Sequence, residues 1–458
     1  MEDRANLLYK IIDDIEFIHS AFPEKDSIEQ AEELKEKAKA FIKENRDKIE
    51  IFENKAEENP SYFDWNIVKS GAKFNFLSLI IPKEFGGKGI KALPYSVFIE
   101  EICSETAGVG NIFGAHALGM TPILLSPYLF SFTNIIKEVV EREKKGEPIL
   151  FAFGLTEPTG GSDVQQDEDW LKKAKMTTKA QKVKDGYILN GRKVFISNGS
   201  VAKYITVFAQ TSSPDKMMCL LVNSEMKGFS IGRVEDKMGQ KTCHAAELVF
   251  EDVFVPDDMV VIPEGSAPFI NRVILSTTRA PVGAIATGIA KGAIKKVIEI
   301  VEDKDEYFAL KISEAISKLI MARMLWITSC TIIDKEGSMK LSQNPVVKLI
   351  AKIFSKINSL DQNLTRKLGR KLGDRMKDVF FNVLSKNLKK IESLSSIAKF
   401  SSTQLSFEVC NICMELLGEK SADKSLKIER FLRDVRLTQI YETTNEVNKI
   451  ILWKNLFA

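Results

Sequence analysis

The chain has 458 residues, enough for two or three domains. Its 44% apolar and 28% charged content is that of an ordinary globular chain, and 65 basic against 62 acidic residues leave a net charge of +3, so nothing in the balance marks a nucleic-acid binder. Six cysteines over this length make no disulfide framework, and no apolar run follows a basic N-terminal region or approaches the ~20 residues of a membrane span, so the expectation is a cytoplasmic protein.

Residues 1–150 carry mostly helical patterning. Leu7, Leu8, Ile11, Ile12, Ile15 and Ile18 recur at helical spacing, and charged helix formers fill 24–55. The first 40 to 45 residues read as an extension. Pro82 to Gly89 is a loop holding Gly86, Gly87 and Gly89, followed by a helix through Glu100 and Glu101. From 151 to 265 the texture changes to short apolar alternations, Tyr187–Asn190, Tyr204–Ala209 and Glu247–Phe250, separated by Asp-Gly, Asn-Gly and Lys-Gly turns. This predicts an antiparallel sheet or small β-barrel. From 266 to 458 the helical period returns in Ala284–Ile300, Glu314–Ile333 and Ser402–Leu417, which predicts a helical bundle. Cys410 and Cys413 fall on the apolar side of the last of these helices with no second Cys/His pair nearby, so they read as packing and no metal site is expected.

Four segments carry chemistry. Near the C-terminus, Arg433-Asp434-Val435-Arg436 leads through Ile440-Tyr441-Glu442-Thr443-Thr444 to Glu446, and alone Glu442 reads as a solvated helix-end carboxylate. Phe153-Gly154-Leu155-Thr156-Glu157-Pro158 ends a strand and enters the Gly-rich loop Thr159-Gly160-Gly161-Ser162-Asp163, whose backbone N–H groups and hydroxyls can approach a planar cofactor or a phosphate. Asn190-Gly191 suits a two-residue hairpin turn, and the strand after it sets Phe195 and Ser197 two residues apart on one face. Met238-Gly239-Gln240 leads to the strand Leu248–Pro256, and Thr278-Arg279-Ala280-Pro281 opens a helix rich in small residues, with Arg279 readable equally as a buried ion-pair partner.

Taken together and in this order, the segments resemble acyl-CoA dehydrogenases over about four-fifths of the chain, and Asp64–Leu124 also follows that family's first domain. The resemblance implies an N-terminal helical domain, a middle β-barrel and a C-terminal helical bundle. It further implies an FAD enzyme of fatty acid and lipid metabolism that dehydrogenates an acyl thioester, acyl-CoA first and a carrier-protein-bound acyl group second. Glu442 would take the α-proton and flavin the β-hydrogen as hydride, with electrons passing to an electron-transfer flavoprotein. By the same resemblance Phe153, Leu155 and Thr156 border the flavin, Phe195 takes the place of a tryptophan against it, Ser197 stands near its reactive nitrogen, and Thr444 contacts the cofactor. Ser162, Arg279 and Thr443 fall on the substrate side. Some relatives place the base where Thr278 stands, and threonine cannot act as one, which leaves Glu442. A nitroalkane-oxidising relative has Asp as its base, so a glutamate speaks against that chemistry. A homodimer or homotetramer is implied.

The departures fall on one part of the cofactor. The family's arginine for the FAD pyrophosphate becomes Asp303, its Gln-x-x-Gly-Gly-x-Gly loop becomes Glu415–Ser421 with Gly418 alone, and its last glutamine becomes Glu446. Either FAD is held by other groups, or the chain is a non-catalytic relative that serves as a binding or structural partner. Thr443 replaces a glycine, which implies a tighter space beside the base and short acyl groups. An insertion at about 334–395 contains the basic stretch Leu364–Lys377, readable as a solvated helix or as a dock for an acidic partner such as an acyl carrier protein or the CoA phosphates.

Overall fold

The structure, a computed structural model, describes residues 22–165, 171 and 173–457. The apolar repeat from Leu7 to Ile18 lies outside these residues. Helix α1 (Lys25–Glu58) buries Leu34, Ala38, Phe41, Ile42, Ile49, Phe52 and Ala56, a 3–4 spacing that turns one stripe to the core and leaves its many charges in water. It runs unbroken through residue 45, where the extension was expected to end. Helices α2 (Trp65–Lys73), α3 (Ala92–Cys103), α4 (Ala107–Leu124) and α5 (Thr133–Lys144) complete the N-terminal layer. Asp64 caps α2 by accepting from Asn66 N at 2.9 Å.

The middle strands are β1 (Phe151–Gly154), β2 (Lys179–Val183), β3 (Gly186–Ser197), β4 (Tyr204–Gln210), β5 (Met217–Asn223), β6 (Phe229–Val234), β7 (Ala245–Pro256) and β8 (Val260–Ile262). They form one sheet in the order β6-β7-β3-β2-β4-β5-β8, with β1 parallel to β4. Its end strands β6 and β8 do not pair, so the sheet is open and the expected barrel is not closed. The three apolar alternations fall inside β3, β4 and β7. Asn190-Gly191 is not a turn. The β2–β3 hairpin turns six residues earlier, at Lys184-Asp185, where Asp185 takes φ +61° and Val183 pairs with Gly186. Asn190 instead exchanges hydrogen bonds with Asp252 on β7, at 2.9 and 2.8 Å. Gly191 marks a register shift, and a Cβ there would come within 2.6 Å of Thr178 Cα.

The C-terminal bundle is built on α6 (Ala267–Ile300), flanked by α7 (Glu306–Glu336) and α11 (Leu388–Leu417), and closed by α12 (Ile428–Thr438) and α13 (Asn445–Phe457). The helices extend well beyond the segments that sequence periodicity marks. Two stretches, Ala267–Ile300 and Glu306–Leu341, are long and apolar enough to cross a membrane, which corrects the expectation of none; the most apolar part of the first is mostly buried inside the protein. Small residues let α6 lie directly on α3: a Cβ at Gly288 would sit 2.4 Å from Glu100 O.

Between α7 and α11 lie α8 (Met339–Gln343), α9 (Pro345–Leu360) and α10 (Gln362–Ser385). Asn344 and Asp361 cap α9 and α10. Helix α10 rests on the segment after α4 through Gly369 and Gly373, where a Cβ would meet Ser131 N and Pro127 O at 2.5 Å. Arg370 stacks on Tyr128 at 4.0 Å and donates to Val260 O at 2.6 Å, while Arg366 pairs with Asp258 at 2.9 Å. Part of the basic stretch is therefore spent inside the molecule.

Candidate active site

Helix α12 ends at Thr438, and the chain turns through Glu442 and Thr443 in left-handed conformations, φ +53° and +73°, before α13 begins. That turn aims Glu442 at α6, where its Oε2 accepts from Thr278 Oγ1 at 2.7 Å. Burial raises the Glu442 carboxyl above its ordinary value of 4.5, against the downward pull of the Thr278 bond and of the Arg279 and Lys399 charges. Thr278 thus holds the Glu442 carboxylate in place from α6.

A buried cage fixes the turn. Arg279 donates to Thr443 Oγ1 at 3.3 Å and lies 3.7 Å from Glu392, which also binds Arg272 at 2.7 Å. The ion-pair reading of Arg279 is therefore the one its contacts describe. Lys399 donates to Asn445 Oδ1 at 2.9 Å, and burial holds its ammonium down to about 7. Asn448 Nδ2 bonds the carbonyls of Thr443 and Thr444, both at 2.9 Å. On the other side of α12, Gly239 lets the Met238-Gly239 turn touch the Arg433 backbone, where a Cβ would be 2.6 Å away, and Gln240 binds Asp434 through both its backbone N and its amide.

Glu442 faces a cavity of about 1480 Å³, partly open to solvent, between the N-terminal helices and α6. Its wall is largely apolar, with Ile80, Phe85, Tyr95, Leu118, Val282 and Ile285 among the lining residues. Ser197, Asn111, Tyr441, Thr277 and Thr278 supply polar groups, and Met339, Leu341, Val347, Lys348 and Ala351 bring α8 and α9 into the wall.

The residues expected around a flavin are partly gathered here. Ser197 shares the cavity with Glu442. Thr156 O accepts from Val194 N at 2.9 Å, tying the Gly-rich loop to β3, and Ser162 Oγ accepts from Thr444 N at 3.2 Å. A second register shift in β3 gives Phe195 φ +58° and leaves its ring 61% exposed. Leu155 is buried, and Phe153 packs on Phe208 at 5.1 Å. Thr443 is turned onto Arg279, and neither lines the cavity. Glu415 is held by Tyr307 OH at 2.5 Å and Lys311 Nζ at 2.9 Å, so the two altered clamp segments bind each other. A cleft of about 1390 Å³ beside Thr444 carries Ser401, Gln404, Arg436 and Lys449.

Sequence reasoning missed the fully buried pair Glu157–Lys193, at 2.7 Å, which with Thr177 and Thr178 fastens the Gly-rich loop to β3. Burial opposes charge on both, but the Lys193 ammonium and the Thr177 donors leave the Glu157 carboxyl below its ordinary value. It also missed the supporting roles of Thr278 and Lys399. No local pattern gives these, because each partner is remote in the chain.

Residues 28–126, 152–253 and 381–457 match the N-terminal, middle and C-terminal domains of acyl-CoA dehydrogenases. The chain belongs to the acyl-CoA dehydrogenase family. It is 28% identical to a 3-(aryl)acrylate reductase of Clostridium sporogenes, over 93% of this chain and 98% of that one. It is 25% identical to the CarC subunit of the caffeyl-CoA reductase–Etf complex of Acetobacterium woodii, over 86% and 90%. The fold is similar to that of butyryl-CoA dehydrogenase from Megasphaera elsdenii, with a TM-score of 0.73 at 23% identity, over 95% of this chain and 100% of that one.

Proposed function

We propose that this protein catalyses oxidation and reduction at the Cα–Cβ bond of an acyl thioester, acyl-CoA first and a carrier-protein thioester second, with Glu442 as the acid–base group and FAD as the cofactor. One observation carries the reading: a half-buried carboxyl, raised in pKa and held by Thr278, faces a largely apolar cavity that also contains Ser197. A base works best when its pKa lies near the working pH, and burial moves Glu442 in that direction. Thr278 binds Oε2 and leaves Oε1 for the α-proton. The apolar wall excludes water from the acidic Cα–H and takes the acyl chain.

The residues present suit FAD. The hydroxyls of Thr156 and Ser197 and the exposed Phe195 ring fit its isoalloxazine end. Ser162, Thr444 and the cations Arg436 and Lys449 in the adjoining cleft offer donors for its diphosphate in place of the lost arginine. Bound there, FAD supplies the acceptor or donor of the β-hydride. In dehydrogenation Glu442 starts ionised and ends protonated. In reduction of an enoyl thioester it starts protonated and delivers that proton to Cα, and the reductase names of two relatives support this second direction for the same site. The Etf complex of the Acetobacterium relative supports an electron-transfer flavoprotein as partner. A row of exposed apolar side chains on α7, among them Leu310, Ile320 and Met324, supports packing against a second copy of the chain.

The test is the visible spectrum of the purified protein during anaerobic addition of saturated acyl-CoAs, and after reduction on addition of enoyl-CoAs. The expected result is a flavin band that bleaches with the former and returns with the latter in the native protein, but responds to neither in Glu442→Gln. A protein that stays colourless with added FAD sinks this reading in favour of a non-catalytic partner.

A further inference from the structure

We propose that the inserted hairpin α9–α10 is a docking surface for an anionic lipid bilayer. Residues 345–385 hold nine Lys and Arg against three Asp, a net +6, while the whole chain is +3; the rest of the protein is therefore net −3. Helix α9 has three lysines and no acid. Lys348, Lys352 and Lys356 follow each other at four-residue intervals and are all exposed. On α10, Lys367, Lys371, Arg375 and Lys377 are exposed too, while Arg366 and Arg370 are taken up by Asp258 and backbone carbonyls.

Beside the lysine stripe runs an apolar one. Leu349, Ile353 and Leu360 lie on one face of α9, 60%, 47% and 89% exposed, and Leu364 at the start of α10 is 45% exposed. The buried face of α9 is a third stripe, Ala351, Phe354 and Asn358, packed against the body of the protein. A helix that needed only to cover its own core would have one apolar stripe, and a merely solvated helix would not add large aliphatic side chains to its basic face. Charge decides what covers the surface. Two copies of a +6 face repel, so self-association is disfavoured here, and the partner is anionic. The exposed leucines and isoleucine favour a lipid interface, where cationic side chains meet headgroups and aliphatic ones enter the acyl boundary.

The placement also gives the surface a use. An apolar groove of about 840 Å³ runs between α9 and α10, lined by Val346, Ile350, Leu372, Val379 and Val383, and it shares Leu129, Leu341 and Val347 with the wall of the Glu442 cavity. Docking would set that groove, and the end of the acyl cavity behind it, at the membrane surface. The proposal does not depend on the chemistry at Glu442.

Sedimentation of the full-length protein with vesicles tests it. Binding is expected to vesicles of phosphatidylcholine containing phosphatidylglycerol, to weaken with salt, and to be absent with phosphatidylcholine alone. Each basic residue near an anionic leaflet contributes about fivefold in partitioning, so Lys348→Glu with Lys352→Glu and Lys356→Glu is expected to lower binding by about a hundredfold or more. Leu349→Ser with Ile353→Ser is expected to weaken it while leaving the charge intact. All five positions are exposed, so unchanged circular dichroism and melting serve as the folding control. Absence of binding to the anionic vesicles, equal binding to both vesicle types, or full binding by the charge-reversal variant overturns the proposal. So does capture of a purified acidic carrier protein by this face without vesicle binding.

Discussion

Replacing Thr278 by valine tests whether Glu442, the proposed base, is tuned by its neighbour on α6. Valine keeps the shape of the side chain and deletes one hydroxyl. That hydroxyl lies 2.7 Å from Glu442 Oε2 and 3.2 Å from Ile274 O, and its single proton goes to the nearer, charged acceptor. A hydrogen bond to a charged group is worth about 1.5–3 kcal/mol. It stabilises the carboxylate over the acid, so its loss raises the Glu442 pKa further. At 1.36 kcal/mol per pH unit, the acid limb of the kcat/KM profile moves up by about one to two pH units. On that limb the variant is about ten- to a hundredfold slower, while above it the plateau is retained, because a more basic carboxylate is the better proton acceptor. Thr278→Ser restores the original limb. The assay is kcat/KM against pH with one acyl-CoA, which reports groups of the free enzyme. A limb that stays in place or moves to lower pH refutes the reasoning. A fixed limb with a depressed plateau would mean that Thr278 acts only on the position of the loop.

Two stability predictions rest on buried groups away from the base. His116 donates from Nε2 to Leu77 O at 3.0 Å and accepts the Phe151 N–H on Nδ1 at 3.2 Å, so it joins the N-terminal helices to β1 in its neutral form. Burial lowers its pKa from 6.5 to about 4, so the unfolded chain takes up a proton below pH 6.5 that the folded protein refuses. Stability is therefore lost as pH falls from 6.5 towards 4, by about 3 kcal/mol from this residue, and His116→Gln removes that part of the slope in melting curves recorded against pH. Lys193→Met leaves Glu157 charged and unpaired in a dry site, at a cost of about 3–5 kcal/mol in denaturant unfolding. The double variant with Glu157→Gln recovers much of the loss, and a double variant as unstable as Lys193→Met alone would contradict the buried-charge explanation.

The order of helices, strands and helices was legible because period is a local property. The 3–4 spacing along α1 and the alternations in β3, β4 and β7 each reflect one buried face. Whether the sheet closes was not legible, since that depends on whether β6 and β8 meet, and neither strand encodes it. Asn190-Gly191 misled for a related reason: Asn-Gly favours a tight turn, yet Asp252 and the crowding at Thr178 give both residues a use inside a strand. Glu442 and Ser197 were legible through motifs, and the cavity brings them together. Thr278 appeared in the sequence only as a residue that cannot act as a base, and the fold shows it as a donor to Glu442.

Thr443 shows how the physical content of a substitution can lie elsewhere than its size suggests. The sequence implies that exchanging glycine for threonine narrows the substrate space. The structure turns the side chain away, onto Arg279, and the cost appears in the backbone: a β-branched residue at φ +73° is a strained conformer, at roughly 1–3 kcal/mol. Glycine would adopt that angle freely. Here the strain is offset by bonds that glycine cannot make or does not need: Arg279 to the Thr443 hydroxyl, and Asn448 to the following carbonyls. Arg279 in turn is fixed by Glu392, which Arg272 also pairs with. Glu442 therefore sits on a turn held by a charged network rather than by a permissive residue. Thr443 does not line the cavity beside Glu442, whose wall includes Leu341 of α8 and Val347 of α9.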